Sequence, residues 1–145
     1  MQVTPYLCFE GRCEEALQFY ADAVGAKVDA LMRFRDAPAS ADASAGCGEM
    51  PAAVTGDKVM HASLRIGDSV LMASDGRCTG NARFEGIALT IQARDDAHAE
   101  QLFAALSAGG KVEMPLAQTF FASRFGMLAD RFGVGWMVIS HPASH

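Results

Sequence analysis

The chain has 145 residues, 50% of them hydrophobic and 20% charged, with a formal net charge of -5. That length supports one domain with a real core, burying roughly 70% of its unfolded surface. The acidic balance argues against nucleic acid or an anionic membrane as partner, since both need a basic footprint, and no apolar run approaches the roughly 20 residues of a transmembrane helix.

The opening residues, Met1 to Pro5, carry neither a basic n-region nor an apolar h-region, so a secretory signal is not expected. The four cysteines, Cys8, Cys13, Cys47 and Cys78, form no CxxC pair. Zinc-ribbon and thioredoxin motifs are therefore missing, and reduced thiols in a cytoplasm are the expectation. Cys8 and Cys13 are expected to pack as small hydrophobes.

In chain order, VTPYLCF (3–9) reads as a short strand. From Arg12 to Val24, apolar residues at Cys13, Ala16, Leu17, Tyr20, Ala21 and Val24 fall on one helix face, and Gly25 stops the helix. KVDALMRF (27–34) reads as a strand. Residues 36–57 are rich in Ala, Ser, Gly and Asp without periodicity; two readings stay open, a lid or binding loop and a solvated linker. In 59–66, Met60, Ala62, Leu64 and Ile66 alternate with His61, Ser63 and Arg65. Gly67-Asp68 then marks a hairpin turn, and Val70 to Ser74 is the return strand.

The pattern now begins again. EGIALTIQA (85–93) is a strand in which Ile87, Leu89 and Ile91 share a face, and Asp95 is a plausible N-cap. The following helix places Ala99, Leu102, Phe103 and Leu106 on one side and closes at Gly109-Gly110. KVEMPLAQT gives another strand, and 119–138 supplies the last two. FYADAVGAKV matches LFAALSAGGKV at an offset near 83. Such a repeat predicts an α+β fold of two βαβββ modules in one domain, module 1 over about 1–76 and module 2 over about 83–141.

Three stretches, PYLCFEGRCEEALQFY, VMHASLRIGD with LMASD, and MPLAQTFFASRFGMLADRFGVGWMV, resemble the PhnB-like branch of the vicinal oxygen chelate superfamily of glyoxalases, extradiol dioxygenases and bleomycin-resistance proteins. The resemblance implies a curled mixed sheet around a central cavity with helices outside, and commonly a homodimer. It also implies a divalent metal held by His and Glu, which chelates two substrate oxygens as a Lewis acid. Carried onto this chain, the ligand positions fall on Pro5, Met72, Gly86 and Met137. Pro and Gly offer no side-chain donor, and a thioether is too soft for Mg, Mn or Zn. No metal and no cofactor are therefore expected. Similar sequences carry a ubiquinone-pathway methyltransferase label. Transfer of that kind needs a glycine-rich strand-to-helix turn, whereas FEGRCEE has only Gly11 and no GxG spacing.

His61 is the first candidate for chemistry, as a general base or an anchor for an anionic substrate, with a hydrogen-bonded structural histidine as the other reading. Ser63 and Arg65 share its face. Asp75 can present a carboxylate at a cavity mouth or cap a turn. Asp130 and Arg131, at the last hairpin, are expected to shape backbone and form a local salt bridge. His98 is expected to be solvated, and His141 and His145 to have no role. In VGWMVIS, Met137 alternates with Trp136; if Met137 points into the cavity, Phe121, Phe125 and Met127 join it, with Phe120 outward, and one slip of parity reverses the set. The expected ligand contacts are thus Ser63, Arg65, Met72, Asp75, Phe121, Phe125, Met127 and Met137. Two functions follow: a metal-free small-molecule-binding protein, or an enzyme using His61 with Asp75 or Arg65. A collapsed domain that works only through a dimer interface is the third.

Overall fold

The computed structural model describes residues 1–36, 56–76 and 80–141. Almost all of the 36–57 loop lies outside them, as do Cys47, Cys78, His145 and the middle of the DGRCTG turn. The chain divides into two units, Met1–Ala82 and Arg83–His145.

The first unit runs β1 (Tyr6–Cys8), α1 (Cys13–Val24), β2 (Lys27–Arg33), β3 (Val59–Ile66) and β4 (Ser69–Ser74). Its sheet has the order β1-β4-β3-β2. The β1–β4 pair is parallel and the other two pairs are antiparallel. Only the outermost pair is parallel because α1 intervenes between β1 and the hairpin-linked strands, as a crossover requires. The β3–β4 hairpin turns on two residues, closing Ile66 against Ser69, and Gly67 at φ 58° supplies the left-handed backbone. Helix α1 buries Cys13, Ala16, Leu17, Phe19 and Tyr20. The strands contribute Leu7, Val59, Ala62, Leu64, Leu71 and Ala73, all buried.

The second unit repeats the plan with β5 (Leu89–Gln92), α2 (Asp96–Ser107), β6 (Lys111–Ala117), β7 (Arg124–Ala129) and β8 (Gly135–Ser140). The sheet order is β5-β8-β7-β6, again with the β5–β8 pair parallel. The two helices keep an offset of 83 residues, Cys13 to Asp96 and Val24 to Ser107, which falls to 66 between Ser74 and Ser140. The difference lies in the long β2–β3 connection of the first unit. Each unit is a βαβββ module with one helix and one mixed sheet, so the fold is α+β.

Asp95 caps α2, its carboxylate accepting from the His98 amide at 2.7 Å, as its position predicts. His98 is not simply solvated: its Nδ1 accepts from the Arg94 amide at 3.2 Å, so the first turn is closed in both directions. Leu102, Leu106 and Ala99 are buried, with Leu128, Trp136 and Val138 from the sheet. Gly126 lets helix and sheet approach, since a Cβ there would stand 2.7 Å from the Phe103 ring and 2.9 Å from Leu116 Cα. Ile87 does not share the face of Leu89 and Ile91: the strand begins at Leu89, and Ile87 is exposed. Among the described residues, no helix is long and apolar enough to cross a membrane.

Candidate functional site

With one face of each sheet covered by its helix, the alternate residues define an opposite face, and the candidate residues fall there. In the first unit, Tyr6 on β1 stands beside Met72 on β4, which pairs with Ser63 on β3. His61 lies two residues from Ser63, opposite Met32 on β2. The phenol oxygen of Tyr6 comes within 3.3 Å of His61 Nδ1, and the two rings are 5.7 Å apart at 35°. Tyr6 and Met32 are exposed, and His61, Ser63 and Met72 are half-buried. A partly exposed imidazole against a phenol is an arrangement that can hold or pass a proton.

Arg65 shares the parity but not the place. It lies four residues along β3 from His61, about 13 Å at strand rise. Its guanidinium is paired with Asp29 Oδ2 at 3.1 and 3.2 Å. The structure therefore groups His61 with Tyr6 rather than with Arg65.

Asp75 is turned the other way. It is 2% exposed, and both carboxylate oxygens are used: Oδ1 accepts from the Cys13 amide at 2.7 Å and Oδ2 from the Val59 amide at 2.6 Å. Arg12, the N-cap of α1, makes no side-chain cap bond, so Asp75 supplies from β4 what the cap position lacks. Satisfying two buried donors while facing the positive end of a helix is a structural task. Asp75 is thus not the open carboxylate that a ligand-contact role requires. Beneath it, burial first and the Asp75 charge second push the Cys13 thiol far up, which keeps it protonated; Cys13 packs as a small hydrophobe, as expected.

In the second unit the register pairs Phe125 with Ile139 and Met127 with Met137 on β7 and β8. Thr90 on β5 faces Met137, and Met114 on β6 faces Met127. Trp136 and Val138 are buried on the opposite, helix-facing side. The alternation expected from VGWMVIS therefore holds. Beyond the strand, Phe121 packs edge-on against Phe125 at 5.1 Å, and Phe120 against Phe121 at 5.1 Å. Phe120 is fully exposed and Phe121 exposed. The middle of this face is apolar, with Thr90 and Gln92 along its β5 edge and Lys111 at the start of β6.

Asp130 is buried at 3% exposure. Oδ1 accepts from the Phe132 and Val134 amides at 2.8 and 3.1 Å, and Oδ2 from the Trp136 indole at 2.9 Å. It shapes the hairpin, as expected, and also fixes the indole. Arg131 donates to the Ala108 carbonyl, tying the hairpin to the end of α2.

A third polar group ties α2 to its sheet. Ser123 and Ser140 both donate to Asp96 Oδ1, at 2.5 and 2.7 Å. Arg124 stands 3.7 Å from the other oxygen. These bonds, Ser123 first and then Ser140, hold the Asp96 carboxyl below its ordinary value.

The four metal positions carried over from the resemblance also resolve. Met72 and Met137 lie on the open faces, but the β1 residue beside Met72 is Tyr6, and the Pro5 carbonyl instead accepts from the Met72 amide at 2.9 Å. The β5 residue beside Met137 is Thr90, Gly86 lying ahead of the strand. Pro5 and Gly86 thus both stand outside the strands, with Tyr6 and Thr90 as the strand neighbours of the two methionines. Among the described residues, no three His, Cys, Asp or Glu side chains come together as a metal cluster.

A family model described as 3-demethylubiquinone-9 3-methyltransferase matches residues 1–139. The chain belongs to that family. A putative 3-demethylubiquinone-9 3-methyltransferase, PhnB protein, from Bacillus cereus shares the fold, with a TM-score of 0.74 at 22% identity over 97% of this chain and 99% of that one, in keeping with the fold that the three sequence stretches suggest. Protein YjdN of Escherichia coli K12 is 34% identical over 138 residues, covering 95% of this chain and 94% of its own. The crystal structure of protein PA1353 from Pseudomonas aeruginosa superposes with a TM-score of 0.79 at 39% identity, covering 97% of this chain and 98% of that one. A glyoxylase/bleomycin resistance protein/dioxygenase domain from Frankia shares the fold, with a TM-score of 0.64 at 14% identity over 100% of this chain and 95% of its own.

Tyr6 is the residue that sequence reasoning missed. It sits within a quoted motif, but its partnership with His61 depends on the parallel β1–β4 register, which no local pattern specifies. Met114 was missed because a bulge precedes it: Val112 pairs with Leu128 but Met114 with Met127, so simple alternation places it wrongly.

Proposed function

We propose that the chain is a small-molecule-binding protein of the glyoxalase/bleomycin-resistance type that works without a divalent metal. The observation that carries the binding reading is the open face of the second module. There Phe121, Phe125, Met127, Met137 and Ile139 stand together without a charged side chain among them, a surface suited to a partly apolar ligand. The metal-independent part rests on donor chemistry. At the carried-over positions, Pro5 and Gly86 offer no side-chain donor and Met72 and Met137 offer thioethers, with Tyr6 and Thr90 as their strand neighbours, a set that does not fit a hard or borderline divalent ion.

A titration with the apolar dye 8-anilinonaphthalene-1-sulfonate tests the binding reading. One saturable site is expected on the folded chain, weakened about tenfold or more by Phe125→Ala, while His61→Ala leaves affinity within about tenfold. Loss of near-ultraviolet dichroism would reveal an unfolded variant. The absence of saturable binding, or indifference to Phe125→Ala in a folded protein, would overturn the reading.

A second reading keeps the fold and adds catalysis, with His61 as acid or base and Tyr6 orienting it. The 3.3 Å approach of the phenol to Nδ1 favours it. It requires that kcat on a turned-over substrate collapse in His61→Ala with binding retained, a loss of transition-state stabilisation alone. Methyl transfer is not part of either reading: the sheets are short and mixed, and among the described residues no strand is followed by a glycine-rich nucleotide turn. We further infer a homodimer working in the cytoplasm, from the habit of similar proteins and the expected reduced thiols; sedimentation velocity checks the dimer.

A further inference from the structure

Three methionines stand in a single cross-strand row on the second module. Strand pairing sets Met114 on β6 directly opposite Met127 on β7, and Met127 opposite Met137 on β8. The bulge at Glu113 makes the alignment possible, because it reverses the parity of β6 just ahead of Met114. None of the three is buried, so their sulfurs are not consumed as core filling. Thr90 completes the row on β5, and no carboxylate or imidazole belongs to it.

We propose that this row is a binding site for a soft monovalent cation, Cu(I), held by three thioether sulfurs. Directly opposed residues have Cβ atoms about 5 Å apart, so the outer two methionines stand about 5 Å to either side of the central one. Their unbranched, three-torsion side chains can bring all three sulfurs over Met127. Neutral soft donors select Cu(I) and reject Mg, Ca, Mn and Zn, the opposite preference from the His and Glu sets of the superfamily. Phe125, two residues along β7 on the same face, offers a ring beside the row. The chain's net charge of -5 adds a favourable field for a cation. The proposal is independent of the organic-ligand reading, which asks only for apolar contact and would be served equally well by leucine.

That difference provides the test. The protein carries Cys8→Ser, Cys47→Ser and Cys78→Ser to remove competing thiols; Cys13 stays, buried and protonated. With the eight methionines labelled on their methyl carbons, Ag(I), the redox-inert analogue, is added and carbon resonances are followed. Cu(I) affinity is measured anaerobically against a chromogenic chelator. At one equivalent, three methyl resonances should move, and single Leu substitutions should assign them to Met114, Met127 and Met137. Each substitution should weaken Cu(I) binding about tenfold or more while near-ultraviolet dichroism shows the fold intact. Shifts spread over other methionines, no binding at one equivalent, or Leu variants with unchanged affinity would each overturn the proposal.

Discussion

Replacing Asp75 by Ala tests the assignment of this carboxylate to structure rather than to ligand contact. The substitution removes the partner of two buried amides, Cys13 at 2.7 Å and Val59 at 2.6 Å. Each orphaned buried donor costs about 1–3 kcal/mol. Loss of a negative charge at the start of α1 adds about 0.3–1 kcal/mol, more in a partly buried setting. The expected loss is therefore about 3–6 kcal/mol, a large share of the about 5–15 kcal/mol that holds most domains together. At about 2–4 °C per kcal/mol for a chain near this size, the melting temperature should fall by about 6–24 °C. Urea unfolding followed by circular dichroism measures it, with Asp95→Ala as the comparison: that cap is an exposed, single-bond version of the same device, worth about 1 kcal/mol. A loss for Asp75→Ala no larger than for Asp95→Ala would refute the reasoning. Normal stability with lost dye binding would return Asp75 to the ligand site.

Three further outcomes follow from other contacts. Gly126→Ala should cost about 1–3 kcal/mol in chemical denaturation, because its methyl would meet Phe103 and the Leu116 backbone; the same change at Gly67, where a Cβ meets nothing, carries only the strain of its positive φ. Trp136→Phe should cost about 1–3 kcal/mol by leaving the buried Asp130 carboxylate without its indole donor, measured by thermal melting. Asp96, held low by Ser123 and Ser140, contributes stability that is fully present above the ordinary carboxylate pKa. That contribution is lost as pH falls from about 4 through the lowered folded value. Ser123→Ala should raise the folded value and flatten the acid limb of stability against pH, read by melting temperature at successive pH values; an unchanged limb counts against the assignment.

Much of the fold was legible because its signals are local. Alternation in VMHASLRI, the Gly67-Asp68 turn, the Asp95 cap and the stop at Gly25 each depend on neighbours within a few residues. The repeat then fixed the module plan, and the alternation of VGWMVIS placed Met137 apart from Trp136. The candidate site was less legible for a physical reason. Tyr6 meets His61 through a pairing that joins residues 55 apart in sequence, and hydrophobic period cannot specify parallel register across a helix. LMASD leaves Asp75 between an open carboxylate and a turn cap, because nothing in it reveals that α1 lacks its own cap. Met114 hides behind a bulge, where a period of two gives the wrong face.

The helix anchors have a consequence for exchanging parts between the modules. In the first, a carboxylate on the sheet side, Asp75, receives an amide of α1; in the second, the carboxylate travels with the helix as Asp96 and the sheet side supplies hydroxyls, Ser123 and Ser140. The 83-residue offset puts Asp96 where Cys13 stands. Grafting α2 onto the first sheet would press Asp96 toward Asp75, two like charges in one small space. The reverse graft would leave the two serines facing Cys13, without the carboxylate that accepts from both. The halves share a blueprint, yet they have become mutually incompatible spare parts, and a chimera would need anchor and helix transplanted as a pair.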